Sequence, residues 1–99
     1  VHMKELEFEW DNRKETANVK KYGVSFVEAR TAFYDEGAIQ FYDPDYSEQE
    51  DRFILLGLSL KPQVLVVCHC FRESETIVRI ISARKADKDE EQVYWERRR

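Results

Sequence analysis

Apolar and acidic residues alternate through Leu6-Glu7-Phe8-Glu9-Trp10, the period of a half-buried strand. Asp11 then suits a helix N-cap, and the polar run that follows predicts a helix through Tyr22, closed by Gly23 at the left-handed position beyond its end. Only Ala17, Val19 and Tyr22 are apolar on this helix. It should lie largely exposed, with Lys14, Lys20 and Lys21 open to solvent or a ligand. Ser25-Phe26-Val27-Glu28 has the form of a capping box, and Phe26, Ala29 and Phe33 give the next helix a buried stripe, broken by Asp35-Glu36-Gly37. Ala38–Tyr42 predicts a short strand and Asp43-Pro44-Asp45 a turn.

Three clearer strands follow at Arg52–Leu60, Gln63–Phe71 and Thr76–Ser82, joined by connections short enough for antiparallel hairpins. In the last, Ile77, Arg79 and Ile81 should share one face, and Val78, Ile80 and Ser82 the other. Both sets are mainly apolar, which predicts a central strand covered by helices. Asp87-Lys88-Asp89-Glu90 opens a final helix with acids at its positive end and Arg97-Arg98-Arg99 at its negative end, read as a solvated tail. The order β-α-α-β-β-β-β-α predicts one α+β domain over residues 3–99. Val1 and His2 read as a cloning scar ahead of Met3, and the charged Met3-Lys4-Glu5-Leu6-Glu7 is unlike a secretory leader.

Composition narrows the chemistry. With 42% hydrophobic and 13% aromatic residues the chain can build a core without staples, so disorder is not expected. No apolar stretch approaches the ~20 residues of a membrane-spanning helix. Cys68 and Cys70 are placed poorly for a mutual disulfide and read as reduced thiols of a cytoplasmic protein. If His2 belongs to the scar, His69 is the single native histidine, which leaves no His-rich metal site. The three glycines, Gly23, Gly37 and Gly57, form no phosphate-binding loop. Cys68-His69-Cys70 cannot gather three ligands on one ion without a bulge, because a strand turns the imidazole away from the thiols. No metal and no cofactor are expected.

The net charge of −4 conceals an asymmetry. From Met3 to Asp51 there are six Lys/Arg and thirteen Asp/Glu (−7); from Arg52 to Arg99 there are ten and seven (+3). The acidic total argues against indiscriminate coating of nucleic acid, while the basic half permits a local polyanion site. Arg79, set among apolar neighbours, needs an anion: either an internal carboxylate such as Glu50 or Asp51, or a ligand phosphate in a cleft. Arg84 and Lys85 stand at a strand–helix junction, where rigid elements place accessible side chains, and Arg72 in a neighbouring loop could join them.

The pattern Phe8-Glu9-Trp10-Asp11, Lys14, Asn18, Lys21-Tyr22-Gly23-Val24-Ser25-Phe26, Ala29, Phe33, then Arg52, Gly57 and Ser59, resembles the BrnT toxin family. So does Arg79-Ile80-Ile81-Ser82-Ala83-Arg84-Lys85-Ala86 with Glu90 or Glu91 and Tyr94 after it. The resemblance spans nearly the whole chain. It implies a fold similar to the RelE ribonuclease toxins, a small antiparallel sheet with two helices before it and one after. It also implies a type II toxin that cuts RNA and inhibits translation, is neutralised by a BrnA-like antitoxin, and meets promoter DNA only through the antitoxin complex. Where the family reads Lys-His-Gly, this chain has Lys21-Tyr22-Gly23, a change that bears on activity and its pH dependence.

A metal-independent endoribonuclease needs a base for the ribose 2′-hydroxyl, cations for the phosphorane and an acid for the leaving oxygen. Lys21 and Tyr22 are candidates for proton transfer, Arg79 and Arg84 for transition-state stabilisation, and Arg52, Arg72 and Lys85 for RNA binding. The alternative is a degenerate BrnT-like protein that binds an antitoxin or nucleic acid without catalysis. A third reading, a structural module with no nucleic-acid role, gains if the Arg79 and Arg84 guanidinia are fully paired to internal carboxylates.

Overall fold

The structure, a computed structural model, describes residues 6–73 and 75–98. The readings of Val1–Glu5 and of Arg99 lie outside these residues. Strand β1 (Glu7–Glu9) leads into helices α1 (Asn12–Tyr22) and α2 (Phe26–Thr31), the latter running into a single 3-10 turn at Ala32–Tyr34. Strands β2 (Ile39–Tyr42), β3 (Phe53–Leu58), β4 (Val64–Arg72) and β5 (Ile77–Lys85) follow, and helix α3 (Lys88–Arg98) ends the chain. The α+β class and the element order are those expected from the pattern.

The caps act where the sequence places them. Asp11 accepts from the Arg13 and Lys14 amides, and Gly23 adopts φ +72° while its N–H closes on Val19. Ser25 accepts from Glu28 N at 3.0 Å, but the box is not closed by Glu28. The Glu28 carboxylate turns instead to Ser59 and Gln63, tying α2 to the β3–β4 hairpin, and Glu15 receives the Phe26 amide.

The sheet runs β1-β5-β4-β3-β2. Its neighbours are antiparallel except β1, which lies parallel to β5 with Phe8 opposite Val78 and Glu9 opposite Arg79. One face carries Leu55, Leu65, Val67, Val78, Ile80 and Ala83 against Val24, Phe26, Ala29 and Ala32 of the α1–α2 layer. The other carries Leu56, Val64 and Val66 against Tyr94 of α3. Because α3 covers only part of that second face, the remainder is left open. Gly57 permits the close approach of the first layer: a Cβ there would lie 2.8 Å from the Ala32 carbonyl oxygen.

Strand β5 departs from expectation in two ways. It continues to Lys85, so Arg84 and Lys85 belong to the strand and not to a junction loop. It also carries an extra residue: His69 opposes Ile80 and Cys68 opposes Ser82, so Ile81 has no partner on β4. The bulge shifts the alternation by one. Ser82 therefore moves to the face of Arg79, contrary to simple period-two reading, and Arg84 joins them there. Without it, residues five apart would point to opposite faces.

Candidate active site

The open part of the second face is a concavity of about 360 Å3. Its floor is Ile54, Val66, Cys68, Ile81 and Ser82; its walls are Tyr22 and Arg84 on one side and Asp43, Tyr46 and Arg52 on the other. Three of the residues selected from sequence, Tyr22, Arg52 and Arg84, are thus brought together from α1, the start of β3 and β5.

Asn18 accounts for the meeting of α1 and β5. Its buried amide donates to the carbonyls of Val24 and Ala83, and its oxygen accepts from Ala83 N at 3.1 Å. This clamp on the residue preceding Arg84 sets the last turn of α1, and hence Tyr22, beside the Arg84 guanidinium. Lys21 stays outside the concavity, with its ammonium 5.1 Å from the centre of the Tyr22 ring.

Arg84 is held by Glu90. Nη1 donates to Oε1 and Nη2 to Oε2, each at 2.8 Å, and Nη1 also reaches the Lys85 carbonyl. Glu90 completes a reciprocal capping box with Asp87 at the start of α3. The hydrogen bond from Arg84 and its charge hold the Glu90 carboxyl below the usual carboxylate range, and Glu90 raises Arg84 in turn. The fork is therefore a fixed cation on the concavity wall.

Arg79 lies on the same face but at the β1 edge, where Glu9 of the neighbouring strand receives Nη1 at 2.8 Å. Its partner is Glu9, not Glu50 or Asp51, and that hydrogen bond is the main cause of its raised pKa. Arg79 does not line the concavity. Both arginines are thus paired, yet neither is enclosed: their side chains retain 32% and 38% exposure.

Arg52 has a looser attachment, 3.7 Å from Glu50. Its Nε is the one fully buried side-chain polar atom among the described residues without a hydrogen-bond partner. Its backbone is nonetheless fixed. Asp43 N donates to Arg52 O, Arg52 N donates to Ser47 Oγ, and Ser47 donates to Asp43 O, a closed clasp across the β2–β3 connection.

Arg72 and Lys85 fall elsewhere. Arg72 is exposed at the far end of β4, six residues or roughly 20 Å from Val66, the partner of Arg84. The β4–β5 hairpin puts its loop at the opposite end of the sheet from Arg84, which is why the two do not converge. Lys85 points to a separate cleft beside Val64, Pro62 and Trp95. The sequence reading passed over Asp43, Tyr46 and Ser82. Asp43 and Tyr46 sit in the loop read only as a turn, and Ser82 reaches this face through the bulge.

Cys68 lies on the concavity floor and His69 points into the opposite layer, as strand alternation requires. Burial raises the Cys68 thiol pKa, with Asp43 adding to the effect and Arg52 opposing it. His69 is wholly buried among Phe33, Phe53 and Phe71, with its two ring nitrogens 3.0 Å from Val67 O and Gln40 Oε1. Desolvation lowers its pKa to about 4, so it is neutral at physiological pH and remote from the concavity. No group of three or more His, Cys, Asp or Glu is arranged to hold a metal ion among the described residues. Nor is any described helix long and apolar enough to cross a membrane.

A second polar cluster anchors α3. The Asp35 carboxylate accepts from Tyr94 OH at 2.5 Å, Arg98 Nη1 at 2.7 Å, and the amides of Gly37 and Leu58. Burial alone would raise Asp35; these four donors outweigh it and hold the group below the usual carboxylate range. Burial and the bond to Asp35 push Tyr94 up to about 12. Arg98 is therefore part of the fold and not of a solvated tail.

This architecture sets two helices on one face of a mixed sheet and a single C-terminal helix part-way over the other. It matches the 1.1 Angstrom-resolution crystal structure of the Brucella abortus ribonuclease toxin, BrnT, with a TM-score of 0.63. The two share 20% identity over 84% of this chain and 99% of that chain. No curated protein sequence matches. The family described as "Ribonuclease toxin, BrnT, of type II toxin-antitoxin system" matches residues 10–90, and the chain belongs to it. Membership of a type II family implies an antitoxin partner.

Proposed function

We propose that this protein is a metal-independent endoribonuclease that cleaves RNA in the cytoplasm and inhibits translation. The observation that carries this reading is the convergence of Tyr22, Arg52 and Arg84 on one open concavity. In the reaction a base removes the 2′-hydroxyl proton, the oxygen attacks the adjacent phosphorus, and the 5′-oxygen leaves with a proton. The products are a 2′,3′-cyclic phosphate and a free 5′-hydroxyl. Arg84, oriented by Glu90, stabilises the phosphorane charge, and Arg52 on the opposite wall binds the RNA backbone. Tyr22 is the proton-transferring group, with Lys21 beside its ring. Arg79, Arg72 and Lys85, outside the concavity, contribute at most to the path of the RNA backbone.

A BrnA-like antitoxin neutralises the protein by covering the arginine-bearing face, and promoter DNA is contacted through that complex. The alternative, a toxin that binds without cleaving, draws support from the ion pairs of Arg79 and Arg84 and from tyrosine at position 22. Incubation of purified protein with RNA or programmed ribosomes, with and without chelator, separates the two. Cleavage that persists in chelator and leaves cyclic-phosphate ends is expected. Binding without cleavage under all conditions supports the alternative.

A further inference from the structure

The concavity holds a group that phosphate binding does not explain. Asp43 is 9% exposed and lines the wall shared with Arg52 and Tyr46. Oδ1 accepts from Asp45 N at 3.2 Å, which fixes the carboxylate, and Oδ2 has no protein donor among the described residues. A carboxylate repels RNA phosphates and attracts RNA's donors, the N–H edges of the bases and the ribose 2′-hydroxyl; an aromatic face beside it, Tyr46 on the same wall, favours the base.

Its position separates it from the reacting centre. Arg84 belongs to β5 and Asp43 follows β2, three strand spacings away, roughly 14 Å in an ordinary sheet. The register adds a diagonal offset. Arg84 is level with Val66 and Leu56, whereas Asp43 pairs with Arg52, beyond Ile54. One phosphorus cannot be served from both corners, but an extended nucleotide spans them. Tyr46, 68% exposed on the same wall, offers an uncommitted aromatic face of the kind on which unpaired bases stack.

Building on the ribonuclease reading, we propose that the Asp43–Tyr46 wall is a subsite for an unpaired guanine, with Tyr46 stacking on the base and Asp43 accepting from its N1–H and exocyclic N2–H. Guanine is the base whose Watson–Crick edge carries two adjacent donors, matching the two oxygens of a carboxylate. The other bases set each donor beside an acceptor. The substrate class is accordingly single-stranded RNA.

The test uses short oligouridines bearing one central guanine, inosine or adenine, with 2′-O-methyl groups throughout so that no nucleophile is present. Affinities are measured by fluorescence anisotropy. Wild type should bind the guanine oligonucleotide about tenfold or more tightly than the inosine one, which lacks the 2-amino donor. Asp43→Asn keeps an oxygen for Asp45 N but should bring guanine and inosine to equal affinity. Tyr46→Ala, at an exposed position, should weaken all three oligonucleotides in the same proportion. Equal wild-type affinities, a guanine preference that survives Asp43→Asn, or no binding at all would overturn the subsite. Because the probes cannot be cleaved, cleavage of unmodified RNA by the same preparation judges the ribonuclease reading separately.

Discussion

Glu90 grips Arg84 through two parallel hydrogen bonds of 2.8 Å while its own backbone amide is capped by Asp87, so the start of α3 and the cationic wall of the concavity are one unit. A bidentate fork is specific to arginine; lysine retains the charge but not the geometry. Arg84→Lys should fold normally and cleave RNA about 100-fold or more slowly. Glu90→Gln should slow cleavage less, since the cation remains but loses its orientation. Single-turnover rates beside melting curves check both. An Arg84→Lys protein of full activity would remove the residue from the reaction.

Arg79 should behave differently. Its pair with Glu9 is about a third exposed and outside the concavity, so either partner contributes about 0–1 kcal/mol to stability. Arg79→Lys and Glu9→Gln should each leave the cleavage rate within a few-fold of wild type. A loss equal to that of Arg84→Lys would place Arg79 in the reacting centre.

Asp35 holds α3 over the sheet with four donors, and its carboxylate is nearly enclosed, at 6% exposure. Asp35→Ala leaves those donors unpaired and should cost on the order of 3 kcal/mol. Tyr94→Phe should cost about 1 kcal/mol through its lost bond. Hydrogen exchange should show the loss concentrated in α3. Uniform exchange across the sheet would contradict the anchoring role.

His69 sets a pH dependence of stability. Its folded pKa of about 4 lies below the ordinary 6.5 of the unfolded chain, so the folded state favours the neutral ring. The associated stability is complete above pH 6.5 and is lost as pH falls toward about 4, because the unfolded chain binds the proton first. The loss over that window is on the order of 3 kcal/mol. Asp35, with its lowered pKa, adds a further loss only below the ordinary carboxylate range. Urea midpoints measured from pH 8 to 4 should fall for wild type and stay flatter for His69→Phe. Parallel slopes would exclude His69 as the cause.

The features legible in the sequence are those decided within a few residues. Asp11, Gly23 and Ser25 act on amides of their own helices, and the strands announce themselves by alternation. Arg84 stood out by its place near the strand–helix junction, and the BrnT resemblance added Arg52. What alternation could not provide is the Ile81 bulge, because an extra residue in β5 has meaning only against the register of β4. That single shift puts Arg84 and Ser82 in the concavity. Long-range partners were equally hidden: Glu9 for Arg79 depends on the parallel pairing of β1, and Asp35 for Arg98 on the docking of α3. Asp43 and Tyr46 lie in a loop whose turn chemistry masked their position on the wall.

The central claim is that the Tyr22–Arg84 wall performs proton transfer and charge stabilisation on RNA. It is tested most directly by single-turnover cleavage across pH 6 to 9 with wild type, Tyr22→His, Tyr22→Phe and Arg84→Lys. Imidazoles ordinarily ionise near 6.5. Tyr22→His should therefore change the pH profile from that of wild type and be faster at neutrality, and Tyr22→Phe should lose most activity. Arg84→Lys should lower the rate at every pH without changing the profile. Superimposable profiles for the three proteins differing at position 22, together with an unimpaired Arg84→Lys, would contradict the account and place the chemistry elsewhere on the molecule.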